Sequence, residues 1–178
     1  MSNKQHFREK CIKRLQSTRY KGGYSKDKQI NSVLNQLIKE QNAFTVMLYL
    51  PLEIEVNIYP LIKVLRKEKR KLYVPFMEGK SFRLVRYRLP LYKKKFGIKE
   101  PNNSKQYRKK EIDLAIIPMI GVDSTWRRVG FGKGMYDRFF EKEYKNIKQV
   151  VFVSRDLCYS KEIVTDYYDV RADRIVVS

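Results

Sequence analysis

"DLAIIPMIGV", residues 113–122, is an almost unbroken apolar run. A strand with one wet face alternates apolar and polar residues, so a continuous run suits a strand covered on both faces, as in a parallel sheet flanked by helices. Directly after it, "DSTWRRVGFGKGMYD" (residues 123–137) places Gly130, Gly132 and Gly134 at alternate positions, and "MYDRFFEKEY" (135–144) reads as a helix. Strand, loop and helix in that order are a step of an α/β sheet, whose ligands sit beyond the carboxyl ends of the strands. The glycines fall at that end.

The alternation extends outward in both directions. Phe7, Cys11, Ile12 and Leu15 recur at helical spacing, and at about 100° per residue Lys4 and Arg8 land on the apolar side of that first helix, which calls for a reason. Ser25 is a candidate N-cap for a second helix whose Ile30, Val33, Leu34, Leu37 and Ile38 face the core. "AFTVMLYL" (43–50) reads as a buried strand, Asn57 as the cap of a third helix with Pro60 in its first turn, and "KLYVPF" and "FRLVRY" as further strands. "LYKKKFGIKEPNNSKQYRKK" (91–110) has no period and reads as a long surface excursion. "QVVFVS" and "DRIVVS" supply the last strands. The expected fold is α/β: a single three-layer αβα domain over residues 1–178, Rossmann-like, with a mostly parallel central sheet.

Lys and Arg number 39 against 19 Asp and Glu, a formal net charge of +20, which draws the chain towards polyanions. At 43% hydrophobic and 13% aromatic residues it is too apolar to be disordered. Charge alone leaves two accounts: a surface for nucleic acid, or lysines scattered on solvated faces. Aromatic rings among basic residues would let an RNA-binding module stack on bases, although no RNP-type or KH-type signature is present. Cys11 and Cys158 lack the spacing of a metal site or a disulfide framework, so a reduced, cytoplasmic protein is expected. No segment approaches the roughly 20 apolar residues of a membrane span. His6, the one histidine, reads as a surface residue.

Glycines at alternate positions bare the backbone, so that successive N–H groups can close round an anion at the start of a helix. Arg128 and Lys133 would add charge towards phosphate oxygens, and Asp137 could hold the Mg²⁺ of a nucleoside triphosphate. The other reading is a strand-to-helix turn with Tyr136 and Phe139 packed into the core and Asp137 serving as an N-terminal helix charge. The loop is neither a Walker A sequence, lacking Lys-[Ser/Thr], nor a dinucleotide fingerprint, since Met135 stands where the third glycine belongs.

The stretch from Asp123 to Asp137, behind the strand "IDLAIIP", resembles the D-x-x-G-x-R-L-G-x-G-x-G-Y-Y-D hallmark of the 5-formyltetrahydrofolate cyclo-ligase (methenyltetrahydrofolate synthetase) family. Other segments carry the likeness along nearly the whole chain. "KQHFR" resembles the family's ATP-contacting Lys-x-x-x-Arg, "LYLPLEIEVN" its folate-holding segment, "FGIKEP" its aromatic-x-Ile-x-[Glu/Gln]-Pro segment, and "DYYDVRADRIVVS" its closing strand. Trp126 departs from the family's loop glycine, Ile58 from a threonine, Val129 from leucine and Met135 from the first tyrosine of Tyr-Tyr-Asp.

The resemblance implies ATP-dependent closure of 5-formyltetrahydrofolate to 5,10-methenyltetrahydrofolate, with release of ADP and phosphate. In the family's scheme the formyl oxygen attacks the γ-phosphate, the nitrogen at folate position 10 closes the ring, and phosphate departs. Phosphoryl transfer asks a protein chiefly for positioning and charge neutralisation. The implied ATP site is Lys4, Arg8, Arg128, Val129, Gly130, Phe131, Gly132, Lys133, Gly134, Met135 and Tyr136, with Arg128 and Lys133 in the catalytic role. Leu50, Glu55, Phe131 and Met135 would contact the folate, and Asp137 and Asp169 would hold Mg²⁺. The expected partner is 5-formyltetrahydrofolate, its polyglutamate tail meeting the basic residues around Lys93, with no membrane; nucleic acid is the less favoured partner that the charge leaves open, and the chain is expected to act as a monomer. Met135 and Trp126 leave open a relative that keeps MgATP but has a changed substrate.

Overall fold

The computed structural model describes residues 3–94, 97–101 and 111–178. Its helices are α1 (Asn3–Tyr20), α2 (Gly23–Glu40), α3 (Tyr59–Lys67) and α4 (Met135–Glu143). Its strands are β1 (Thr45–Met47), β2 (Lys71–Glu78), β3 (Ser81–Arg86), β4 (Leu91–Lys93), β5 (Lys99–Pro101), β6 (Leu114–Pro118), β7 (Gly121–Asp123), β8 (Arg128–Val129), β9 (Val150–Val153), β10 (Tyr159–Ser160) and β11 (Arg174–Val176). Six strands form the central sheet in the order β11-β9-β6-β1-β2-β3. All its pairings are parallel except the β2–β3 hairpin at one edge.

Successive side chains of a strand point to opposite faces, and both faces here are apolar. Val46, Leu72, Val74, Leu114, Ile116 and Val151 pack against Ile30, Leu34, Leu37 and Ile38 of α2 and Leu61, Ile62 and Leu65 of α3. Their neighbours Met47, Tyr73, Ala115, Ile117, Val150 and Phe152 pack against Phe139 and Phe140 of α4. Helices therefore cover both faces, which is why residues 114–118 are apolar without a break and fully buried. A third, smaller cluster joins Cys11 and Leu15 of α1 to Ile120 and Cys158.

Several expectations change. The apolar run 113–122 is two strands: β6 ends at Pro118 and β7 enters a separate three-stranded sheet, β10-β7-β8. The chain passes so close to its neighbours there that a Cβ on Gly121 would lie 2.8 Å from the Cys158 carbonyl and 2.9 Å from the Phe7 ring. The strand expected over 43–50 shortens to Thr45–Met47, although Leu48, Tyr49 and Leu50 remain buried. Ser25 caps nothing, because α2 begins at Gly23 behind Gly22, whose φ of 83° suits glycine. Val33 is 44% exposed rather than core. Asn57 does accept the Tyr59 N–H at the start of α3 (3.1 Å). Within the excursion after residue 90, Leu91–Lys93 and Lys99–Pro101 pair as the antiparallel β4–β5 hairpin, and Lys95, Phe96 and residues 102–110 lie outside the described residues.

The cysteines also depart from expectation. Cys11 and Cys158 form a disulfide with an S–S distance of 2.01 Å. A reduced pair was expected because the two stand 147 residues apart, a separation that no spacing pattern reveals. The fold joins them by laying α1 across the segment that follows β9.

Candidate functional site

Beyond the carboxyl ends of β1, β2 and β6 lies a cleft of about 1130 Å³. Its floor, glycine loop and rim contain every residue expected at the site except Val129. The Val129 side chain is fully buried, and its carbonyl accepts the Ile120 N–H at 2.9 Å. That residue packs behind the loop instead of facing a ligand.

The loop is held from behind. Arg128 is 6% exposed, its Nε donates to the Pro118 carbonyl at 2.7 Å, and its guanidinium lies 4.6 Å from the Tyr136 ring centroid. A Cβ on Gly130 would sit 2.7 Å from both terminal nitrogens of Arg128, so glycine is what allows this arginine to lie beside the loop backbone. On the other side Arg8 of α1 donates to the Gly130 carbonyl (2.7 Å), with its guanidinium against Gly132. These contacts explain why Lys4 and Arg8 occupy the apolar side of α1: that side faces the cleft.

Glu55 stands at the inner end. Its Oε2 accepts the Leu52 N–H at 2.7 Å. Burial pushes its pKa up to about 7, while that hydrogen bond and the charges of Arg128 and Arg155 act in the opposite direction. Burial also raises the pKa of Tyr136, and the nearby Glu55 adds to the rise. The glutamate, the tyrosine and Arg128 thus share one poorly hydrated corner.

At the outer end Lys4 Nζ binds Asp169 (2.5 Å) and Asp166 (2.9 Å). Burial opposes the ammonium charge, but these hydrogen bonds outweigh it and raise the pKa. Asp137, at the start of α4, approaches the Val170 N–H (3.4 Å) and so stands beside Asp169. Among the described residues no three His, Cys, Asp or Glu side chains gather into a metal site. Two carboxylates beside the glycine loop nevertheless fit Mg²⁺, which commonly takes one or two protein carboxylates and completes its shell with phosphates and water.

Asp123 joins the two halves of the outer site. It is fully buried. Desolvation would raise its pKa, but hydrogen bonds from the hydroxyls and N–H groups of Thr165 and Thr125 hold it down at about 2. The carboxylate thereby pins the segment carrying Asp169 against the turn before the glycine loop.

Sequence reasoning missed several cleft residues. Tyr49, Arg138 and Tyr168 all line it. Arg138 binds the carbonyls of Lys80 and Lys133, bracing the loop from α4. Its helical position one turn after Gly134 was the available signal. Trp126 lies on the outside, 45% exposed and 6.0 Å from the Tyr159 ring. Its φ of 60° is a conformation that favours glycine, which accounts for a glycine at the corresponding place in the hallmark.

The family model described as the 5-formyltetrahydrofolate cyclo-ligase family matches residues 1–178. A 5-formyltetrahydrofolate cyclo-ligase of Haemophilus influenzae is 28% identical over 152 residues, covering 79% of this chain and 79% of that protein. A mouse protein of the same name is 24% identical over 76% of this chain and 74% of its own length. Among solved structures, the 5,10-methenyltetrahydrofolate synthetase of Aquifex aeolicus superposes with a TM-score of 0.77 at 28% identity, covering 98% of this chain and 89% of that one. The Mycoplasma pneumoniae synthetase, at 19% identity and a TM-score of 0.75 over 97% of both chains, shares the fold.

Proposed function

The chain belongs to the 5-formyltetrahydrofolate cyclo-ligase family, and from that membership we propose that it closes 5-formyltetrahydrofolate to 5,10-methenyltetrahydrofolate in an ATP-dependent reaction. The observation that carries the reading is the opening of Glu55 and the glycine loop into one cleft, so that a pterin held by the glutamate would meet a triphosphate held by the loop. Bound MgATP would supply the phosphoryl group that turns the formyl oxygen into a leaving group.

The chain's own residues do the positioning. Glu55, Leu50, Phe131 and Met135 would hold the folate. Arg128 and Lys133 would neutralise charge where the phosphoryl group moves, and Arg8, Lys4 and the loop N–H groups would bind the remaining phosphates. Asp137 and Asp169 would hold Mg²⁺, which requires Lys4 to move from Asp169 to a phosphate oxygen. Lys80 and Lys99 at the cleft mouth and exposed Lys93 would meet a polyglutamate tail. We take the chain to work as one domain, a monomer in the cytoplasm; no described helix is long and apolar enough to cross a membrane.

The test is near-ultraviolet detection of the methenyl product from 5-formyltetrahydrofolate and Mg²⁺, with and without ATP. An ATP-dependent rise that disappears in Lys133→Ala and Asp137→Ala is expected. No rise from folded protein that binds MgATP would assign the cleft another substrate.

A further inference from the structure

The contacts along the cleft give it a direction. Glu55 lies with Tyr136 and Arg128; Arg128 lies against Gly130 and Arg8 against Gly132; Lys4, one turn before Arg8, reaches Asp169 and Asp166. Past Lys4 come Tyr168, whose ring centroid is 5.9 Å from the ammonium, and Tyr167. A triphosphate with its transferable end near Glu55 would therefore point its nucleoside end at these two tyrosines.

They are unusual residues for such a rim. Tyr167 is 88% exposed and Tyr168 59% exposed, yet both line the cleft, with ring centroids 5.3 Å apart at 78°. Their turn is not loose: Asp169 Oδ2 accepts the Asp166 N–H at 2.7 Å, and the Asp169 N–H returns to the Asp166 carbonyl at 3.0 Å. The Tyr168 hydroxyl is engaged with Asp166. A braced pair of solvent-facing rings beside a phosphate cradle offers a π-face to a base. Tyr168 also sits under a cation that a phosphate can draw away.

We propose that Tyr167 and Tyr168 form the nucleobase platform of this site, a reading that rests on ATP being the bound nucleotide. Calorimetric titration of the full chain with MgATP and, separately, with magnesium tripolyphosphate tests it, because the second ligand has the phosphates and no base. Tyr167→Ala and Tyr168→Ala are expected to weaken MgATP binding about tenfold, the scale of one lost base–aromatic stack, and to leave tripolyphosphate binding unchanged. Tyr168→Phe, which keeps the ring and loses the hydroxyl, is expected to bind MgATP like the wild type. Parallel weakening toward both ligands would overturn the platform by showing that the tyrosines act through Lys4 and Asp169, and unchanged MgATP affinity in both alanine variants would overturn it directly. Because neither titration contains folate, failure of the cyclisation assay would leave this result standing, and the reverse holds as well.

Discussion

Glu55 gives the site a pH signature. A carboxyl whose folded pKa is raised from 4.5 to about 7 favours the folded state most when protonated, so its contribution is complete below pH 4.5 and is lost as pH rises through 7. Glu55→Gln, which stays neutral, should therefore be more stable than the wild type by about 1–3 kcal/mol at pH 8 and about equal to it near pH 4.5. Urea denaturation at the two pH values measures this, and a pH-independent difference would refute it. The same substitution should sharply impair cyclisation if the carboxylate orients the pterin. Gly130 makes a second test: the 2.7 Å approach of the Arg128 guanidinium to its missing Cβ means that Gly130→Ala must displace a buried arginine. We expect loss of most nucleotide affinity with a modest stability cost of about 1–3 kcal/mol, read by titration and melting. Trp126→Gly, outside the cleft, should leave cyclisation unchanged. At this scale the glycines, Arg128 and Asp137 were legible because their chemistry is local in sequence. Tyr168 was not, because only the folded loop shows which way it faces, and Arg138 was signalled only by its place one turn after Gly134.

At the scale of elements, the β4–β5 hairpin brings Ile98 and Lys99 to the cleft wall, and a side chain ties it to the sheet. β2 pairs with β1 only as far as Tyr73, and because Pro75 has no N–H the Met77 N–H is the next donor on that side. Glu100, 3% exposed, accepts the Met77 N–H there at 3.0 Å. Gln keeps the acceptor oxygen and Ala removes it, so Glu100→Ala should raise KM for the folate several-fold with little change in kcat, and Glu100→Gln should restore KM. Equal KM values in both variants would show that the hairpin is held by other contacts. The sequence foretold the strands and helices of the central layers, since burial on two faces writes itself as apolar runs and helical stripes. It misplaced the short strands: three residues of β4 or β7 carry too few side chains for a period, and their pairing partners decide their existence. Gly22 replaced Ser25 as the start of α2 for a related reason, because the left-handed turn after α1 fixes where the next helix can begin.

The whole molecule combines a large positive charge with a covalent link that spans most of its length. The charge of +20 should attract an anionic folate, so kcat/KM ought to fall as salt is raised, more steeply for a polyglutamate than for a monoglutamate; equal slopes would mean that the lysines at the mouth do not meet the tail. The link bears on α1. Its buried residues are Cys11, Leu15 and Thr18 alone, yet it carries Lys4 and Arg8 to the site, so the bond to Cys158 is a principal anchor for that helix. A cross-link between residues 147 apart removes much freedom from the unfolded chain, and a loop of this length is worth up to about 5 kcal/mol by chain entropy, with measured values commonly lower. Reduction, or Cys158→Ala, should therefore lower the urea midpoint by an amount corresponding to about 2–5 kcal/mol. It should also weaken MgATP binding, because α1 carries Lys4 and Arg8 against Asp169 and the glycine loop. Loss of stability with unchanged nucleotide affinity would show that the disulfide holds the chain together without holding Lys4 and Arg8 in place. The composition could not reveal this coupling, because two cysteines far apart in sequence acquire a relation only when the first helix is laid over the end of the sheet.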